Sequence, residues 1–335
     1  MSEELLFPEI EPFNSGFLQV SPIHKIYYEE SGNPSGLPVV MVHGGPGDCS
    51  SPKHRRRFDP EKCRIILFDQ RGAGQSLPSA CLEENTTDHL VADMEKLRQH
   101  LAVDRWLVVG SSWGSTLSLV YAQAHPAAVL GMVLNGIFLG YRVNTDWIHG
   151  PSGAARIFPE HYDDYINWLP EDERSDPFDA YTKRIHGADK ELAMEAAQRM
   201  LTYEGQIMAM EATTISKNEE RAEAEAMMDA AEKQAAQAGF AQFAYSHCLL
   251  ETHYAQADFF LKERQILDAV DVLKNIPITL IHGRYDLICP IKNAYKLNFF
   301  MPHSRLVVVS NAGHGTGEML AEVMAEIDKM VALFT

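Results

Sequence analysis

The sequence predicts an α/β fold in which a mostly parallel, doubly wound sheet carries an inserted helical cap domain. In the first 140 residues, short β-branched apolar runs alternate with helical patterns, as expected when parallel strands are buried on both faces. From residue 141 to residue 267 the chain changes to long helical stretches rich in Ala, Glu and Met, and strand-like runs then return. We therefore assign residues 1–140 and 268–335 to the sheet domain and residues 141–267 to the cap.

The elements follow in order along the chain. Residues 17–28 are strand-like and end at a turn cluster, which predicts an antiparallel opening hairpin. Helices are predicted at residues 89–100 and 115–125, and residues 219–238 form the clearest helical pattern of the cap. An amphipathic helix at 318–334 closes the chain. The six buried strands are predicted at residues 38–45, 64–69, 106–112, 129–136, 276–283 and 305–313.

Composition excludes several classes of function. Of the 335 residues 46% are apolar and 22% are charged, which argues against disorder, and the net charge of −17 repels nucleic acid and anionic membranes. There is no apolar run of membrane-spanning length, and the acidic N-terminus does not resemble a signal peptide, so we expect a cytoplasmic protein. Five cysteines without CxxC spacing suggest reduced thiols. The oligomeric state stays open.

The strongest chemical signal is a GxSxG motif at residues 110–114, between a β-branched strand and a good helix. This context predicts a nucleophile elbow, in which small flanking residues permit a strained strand-to-helix turn. Ser112 is the predicted nucleophile, and the helix N-terminus directs free N–H groups at developing negative charge. Read alone, the motif could also be a glycine-rich turn without catalysis.

A second glycine-rich motif, HGGPG at residues 43–47, directly follows residues 38–42, the apolar part of the first predicted buried strand. In α/β hydrolases the oxyanion hole takes one backbone N–H from the residue after the nucleophile and another from such a loop. The two donors predicted here are Trp113 and Gly45, although an ordinary Gly/Pro turn is the alternative.

A serine nucleophile needs a base and an orienting carboxylate, which in this fold follow in the order acid, then histidine. Asp286, in HGRYD, and His314, in NAGHG, stand after the last two predicted strands in that order. The other histidines fit structural or cap positions better, including His282 within HGRYD. No HExxH or comparable metal spacing occurs, so we expect a mechanism without metal or cofactor.

The chain resembles the proline iminopeptidase family of serine α/β hydrolases over nearly its whole length. The resemblance rests on HGGPG, FDQRGAGQS (residues 68–76), NTT (residues 85–87), SWGSTLSL (residues 112–119), GRYDLICP (residues 283–290) and AGH (residues 312–314). It implies the triad Ser112, Asp286 and His314. It also implies hydrolysis of peptides that begin with proline, so the expected partners are short peptides.

The resemblance further implies how such an enzyme reads its substrate. Glu204, in YEG, and Glu251, in ETHY, match positions that bind the free amine, for which buried carboxylates are natural partners. Phe138 matches a position in the pocket for the prolyl ring. Without the resemblance, the glutamates could be solvated helix residues and Phe138 plain core. Tyr203 stands where the family has Trp, and residues 142–155 also depart from its pattern, which affects the subsite shape.

Two alternatives remain on the residues alone. The first is an esterase or amidase that uses the same triad, with the two glutamates serving only the cap fold. The second is a non-catalytic binding protein that has kept the fold.

Overall fold

The computed structural model describes residues 5–209, 230–315 and 317–335, and its central feature is an eight-stranded sheet. The strand order across the sheet is β1-β2-β4-β3-β5-β6-β7-β8. In chain order the strands are β1 (Asn14–Gln19), β2 (Lys25–Gly32), β3 (Leu37–Val42), β4 (Cys63–Phe68), β5 (Trp106–Ser111), β6 (Val129–Asn135), β7 (Ile278–Gly283) and β8 (Arg305–Val309).

Strand pairing confirms the predicted α/β class. β1 pairs antiparallel with β2, which confirms the opening hairpin, and β2 pairs antiparallel with β4. All remaining neighbours are parallel. The predicted strand at 305–313 ends earlier, at Val309, because the chain turns there towards His314.

Helices cover both faces of the sheet and fill the segment between β6 and β7. The α-helices are α1 (Pro52–Arg55), α2 (Thr87–His100), α3 (Trp113–Ala124), α4 (Arg142–His149), α5 (Pro159–Asn167), α6 (Pro177–Ile185), α7 (Lys190–Met208), α8 (Ala230–Gln256), α9 (Gln265–Asp268), α10 (Lys292–Phe300) and α11 (Gly317–Val331). Single 3₁₀ turns lie at Pro126–Ala128, Ala154–Arg156, Glu171–Glu173, Asp258–Phe260 and Val270–Leu273.

Strands β6 and β7 are direct neighbours in the sheet although 142 residues separate Asn135 from Ile278. The described part of this connection contains helices and turns but no strand, which fits an inserted helical unit. Its boundaries at residues 141 and 267 stay a prediction. Of the helical pattern at residues 219–238, the part up to 229 lies outside the described residues. No helix in the described ranges is both long and apolar enough to cross a membrane.

Asn85, in the NTT motif, fastens the helical segment to the sheet domain. Its amide donates to the backbone oxygens of Arg71 (3.0 Å) and Cys81 (2.9 Å), and its side-chain oxygen accepts the hydroxyl of Tyr254 on α8 (2.8 Å). His253 on the same helix bonds the backbone oxygen of Asn85 at 2.9 Å. The buried amide thus holds α8 in place over the carboxyl edge of the sheet, where ligands bind in this architecture.

Candidate active site

Ser112 occupies a strained turn between β5 and α3. Its φ of 57° and ψ of −126° lie in a region that side chains rarely adopt. The glycines on either side permit this turn. A Cβ at Gly114 would collide with the carbonyl oxygens of Val42 and His43, and one at Gly110 with the carbonyl oxygen of Gly114. The geometry is that of the nucleophile elbow predicted from GxSxG.

Asp286 and His314 form a buried acid–base pair. His314 Nδ1 lies 2.8 Å from Asp286 Oδ2, and the other carboxylate oxygen accepts the backbone N–H groups of Ile288 (3.0 Å) and Cys289 (2.7 Å). With its Nδ1 proton directed at Asp286, the imidazole keeps Nε2 available as a base. Burial acts to lower the pKa of His314, but the charge and hydrogen bond of Asp286 outweigh it, so that pKa is raised above its ordinary value of 6.5.

Ser112 and His314 line the same cavity, yet no hydrogen bond joins them among the described residues. Within the described residues the Ser112 hydroxyl has one side-chain hydrogen-bond contact, to the Cys289 thiol at 4.0 Å. Hydrogen bonds of this kind are often long in a substrate-free site and shorten in the substrate complex. Gly136 allows the imidazole to lie close to the backbone, since a Cβ there would come within 2.8 Å of His314 Cε1.

A second histidine, His282, also lies against Oδ2 of Asp286. His282 Nδ1 accepts the backbone N–H of Ile137 at 3.0 Å, so the proton resides on Nε2, which lies 2.6 Å from the Cys289 oxygen and 3.3 Å from Asp286 Oδ2. Burial lowers the pKa of His282 and keeps it neutral. We expected a structural role for His282, and its contacts show that it holds the loop that carries Asp286.

The two predicted oxyanion donors flank Ser112. Gly45 has a φ of 102° and lines the cavity with Ser112, while Trp113 is the first residue of α3. Neither backbone N–H donates a hydrogen bond within the described residues, so both can bind an oxyanion. Gln70, from the FDQRG motif, braces both segments. Its oxygen accepts the Trp113 indole N–H at 2.8 Å, and its backbone N–H donates to His43 Nε2 at 2.9 Å.

An apolar slot opens beside Ser112. Phe138 is 9% exposed and forms one wall, so it is both core and pocket residue, and Phe259 packs edge-on against it with ring centroids 4.8 Å apart. Thr116 fixes this wall, because its hydroxyl donates to the Phe138 carbonyl at 2.8 Å. Other apolar residues of the wall, which no sequence motif marked, are Ile148, Phe178, Ala255 and Ile288. Asn144, Thr145 and Glu251 are among the polar residues that also line the slot.

The structure brings Glu204 on α7 and Glu251 on α8 together at the same cavity. Burial, followed for Glu251 by the charge of its neighbour, raises the pKa of each carboxyl to about 8. Two carboxylates this close in a buried site favour sharing a proton. Buried oxygens of both, Glu204 Oε1 and Glu251 Oε2, lack a hydrogen-bond partner. The pair is therefore short of a cationic partner.

Two histidines lie against the glutamates. His149 Nε2 is 3.4 Å from Glu204 Oε1, and His247 Nε2 is 3.7 Å from Glu251 Oε2. Burial lowers the pKa of His149 to about 4, so it is uncharged at neutral pH and does not neutralise the pair. Ligand atoms of Glu204, His247 and Glu251 lie within 4.8 Å of one another, a donor set that could hold a metal ion as well as an ammonium group.

Comparisons with known proteins identify the fold and the family. The family model described as alpha/beta hydrolase fold matches residues 38–317. A proline iminopeptidase of Arabidopsis thaliana is 42% identical over 99% of this chain and 84% of its own length, and a probable proline iminopeptidase of Leptolyngbya boryana is 44% identical over 98% and 97%. A solved esterase of Exiguobacterium antarcticum superposes with a TM-score of 0.61, at 22% identity over 95% of this chain and 100% of its own, which shows a shared fold.

The fold and the elbow thus define an α/β hydrolase. Within that class, the full-length identity to curated relatives decides the group. The chain belongs to the proline iminopeptidase family.

Proposed function

We propose that this protein is a serine exopeptidase that releases N-terminal proline from short peptides. The observation that carries the proposal is one cavity that holds Ser112, His314 and the Glu204–Glu251 pair, with the Phe138 slot opening beside the same serine. A nucleophile, an apolar ring pocket and an unpaired buried acid pair are what a terminal prolyl residue requires. The relatives named proline iminopeptidase support the same activity.

In the first step Ser112 Oγ attacks the prolyl carbonyl carbon while His314 Nε2 accepts the hydroxyl proton. Asp286 holds the imidazole and stabilises its positive charge through the 2.8 Å hydrogen bond. The backbone N–H groups of Gly45 and Trp113 bind the tetrahedral oxyanion. The C–N bond then breaks, and the imidazolium gives its proton to the leaving amine.

The product of that step is a prolyl ester on Ser112. Water attacks the ester carbonyl, and His314 takes the water proton and returns it to the serine oxygen. Free proline leaves, and the triad is restored. The described residues supply each proton acceptor and donor this route needs.

Specificity for a chain end follows from the glutamate pair. A bound prolyl ammonium would give the two buried carboxylates the cation they lack, and it would favour their ionised forms. An acylated nitrogen carries no charge, so it would leave the carboxylates unpaired at a cost. The helical segment at residues 141–267 acts in this scheme as a cap that admits chain ends only.

The experiment compares a prolyl arylamide with its N-acetylated form, using wild type and Ser112→Ala. Turnover of the free-amine substrate only, abolished in Ser112→Ala, is the expected result. Equal turnover of both forms would refute the exopeptidase assignment and favour an esterase or amidase. Failure of a serine-directed fluorophosphonate to label Ser112 would favour a non-catalytic binding protein.

We also propose a cytoplasmic location. All five cysteines are free thiols, and Cys63, Cys248 and Cys289 are buried, which suits a reducing compartment.

A further inference from the structure

A single arginine lines the cavity that contains Ser112. This cavity, of about 220 Å³, is lined by the Glu204–Glu251 pair, by Ser112, and by Asp48, His54 and Arg57. Arg57 is the only Lys or Arg among its described lining residues. It follows the short helix α1, in the segment that comes after the HGGPG loop.

Arg57 differs from the two arginines that precede it. Arg55 forms two hydrogen bonds to the Glu29 carboxylate, at 2.6 and 2.8 Å, and Arg56 Nε donates to the Phe7 carbonyl at 2.7 Å. The Arg57 guanidinium is partly buried, and in the described part of the chain it makes neither a hydrogen bond nor an ion pair. A guanidinium in a cavity without these partners can bind an incoming anion.

The groups around Arg57 do not satisfy it. The negative charge of Asp48 acts to raise the pKa of Arg57, but no ion pair joins the two side chains. Asp48 Oδ1 instead accepts the backbone N–H of Cys49 at 2.8 Å. Burial lowers the pKa of His54 to about 3, so this imidazole is neutral. Burial also lowers the pKa of Arg57 to about 10, with Asp48 opposing the shift, and Arg57 stays charged at neutral pH.

Arg57 is also separate from the amine-binding end of the cavity. In the described residues no ion pair joins Arg57 to Glu204 or Glu251, although all three line the cavity. The cavity therefore carries an acid pair and a separate cation, with the nucleophile among its lining residues. This charge arrangement is complementary to a small zwitterion.

We propose that Arg57 binds the free C-terminal carboxylate of a prolyl dipeptide, so that dipeptides are the preferred substrates. The inference rests on the proposed function and specifies its leaving-group side. In a dipeptide the carboxylate carbon is three bonds from the scissile carbonyl carbon, so both charged ends enter the cavity together. The ammonium faces Glu204 and Glu251, and the carboxylate faces Arg57, whose planar fork suits two parallel hydrogen bonds.

The test measures kcat/KM for Pro-Ala, Pro-Ala-amide and Pro-Glu-amide. The wild-type kcat/KM for Pro-Ala is expected to exceed that for Pro-Ala-amide about tenfold or more, because charge-assisted hydrogen bonds contribute a free energy of that size. Arg57→Gln should reduce this ratio to about twofold, and Arg57→Lys should keep part of it. Arg264→Gln is the matched control, because Arg264 lies outside the cavity and pairs with Asp268 at 3.0 Å, and it should keep the wild-type ratio.

Three results would overturn the inference. They are equal wild-type rates for Pro-Ala and its amide, an unchanged ratio in a folded Arg57→Gln, and preference for Pro-Glu-amide without preference for Pro-Ala. The last result would show that Arg57 binds an acidic side chain of the substrate and not its C-terminal carboxylate. Equal wild-type rates overturn the inference without any variant, and if Arg57→Gln fails to fold, the reduced ratio expected of Arg57→Lys tests the role of Arg57. If wild type hydrolyses none of the three substrates, the proposed function fails. If it hydrolyses all three equally, only the dipeptide inference fails.

Discussion

Replacing Glu204 by Gln should make the protein more stable at high pH while it weakens substrate binding. The pKa values of Glu204 and Glu251 are raised to about 8 from 4.5, so between these pH values the folded protein holds protons that the unfolded chain has lost. The stability that these protonated groups contribute is fully present below about pH 4.5. It is lost as the pH rises through about 8, because two carboxylates must then ionise in a buried site.

The magnitude follows from the size of the shift. A shift from 4.5 to about 8 corresponds to about 5 kcal/mol at ~1.4 kcal/mol per pKa unit. Water penetration and relaxation reduce this upper bound. We therefore expect the unfolding free energy of Glu204→Gln, relative to wild type, to rise by between ~1 and ~5 kcal/mol from pH 5 to pH 9.

The assay is urea unfolding under reducing conditions at both pH values. Glu263→Gln, a surface glutamate, is the matched control and should track wild type at both. Parallel stability curves for wild type and Glu204→Gln would refute the conclusion that the two glutamates form a coupled buried pair. A gain in stability together with a higher KM for prolyl arylamide would show that the acid pair is retained for binding at a cost in stability.

Further outcomes concern the triad and its turn. Asp286→Asn should lower kcat on prolyl arylamide about 10³-fold or more, because the imidazole loses its partner, and circular dichroism should show an unchanged fold. The rate of Ser112 labelling by a fluorophosphonate should rise with pH through a midpoint above 6.5, the ordinary pKa of His314; a midpoint below 6.5 would contradict the net effect of Asp286. Gly114→Ala should lower the melting temperature or prevent folding, since its Cβ meets two carbonyl oxygens, while Gly239→Ala, with open space on α8, should leave it unchanged or raise it.

Most of what could be predicted about the fold and the nucleophile came from local sequence motifs. The GxSxG motif predicts the turn at Ser112 because the two positions where this turn has no room for a Cβ, Gly110 and Gly114, lie only four residues apart. Buried parallel strands are recognisable from continuous β-branched runs, and all six predicted ones are present. The strand before His314 was predicted too long, since apolar patterning does not mark where a chain leaves the sheet edge.

Non-local packing set the limit of the sequence analysis. The proximity of Glu204 and Glu251 depends on how α7 and α8 pack, and only the family resemblance pointed to it. Phe259 forms a slot wall because a turn after α8 places it against Phe138, a contact between residues 121 positions apart. No sequence pattern marked Arg57 as a site residue. A run of three arginines is typical of a solvated surface, and Arg57 stands out only once the partners of Arg55 and Arg56 are known.

The central claim is that a buried acid pair beside Ser112 reads the substrate amine. Its most direct test compares prolyl arylamide with cyclopentanecarbonyl arylamide, which keeps the ring but lacks the basic nitrogen, on wild type and on Glu204→Gln/Glu251→Gln. Wild type should favour the prolyl substrate by about 100-fold in kcat/KM, as expected for a desolvated charge contact, and the double variant should lose most of that preference. If wild type hydrolyses both equally, or if the double variant keeps the full preference, the acid pair does not read the amine.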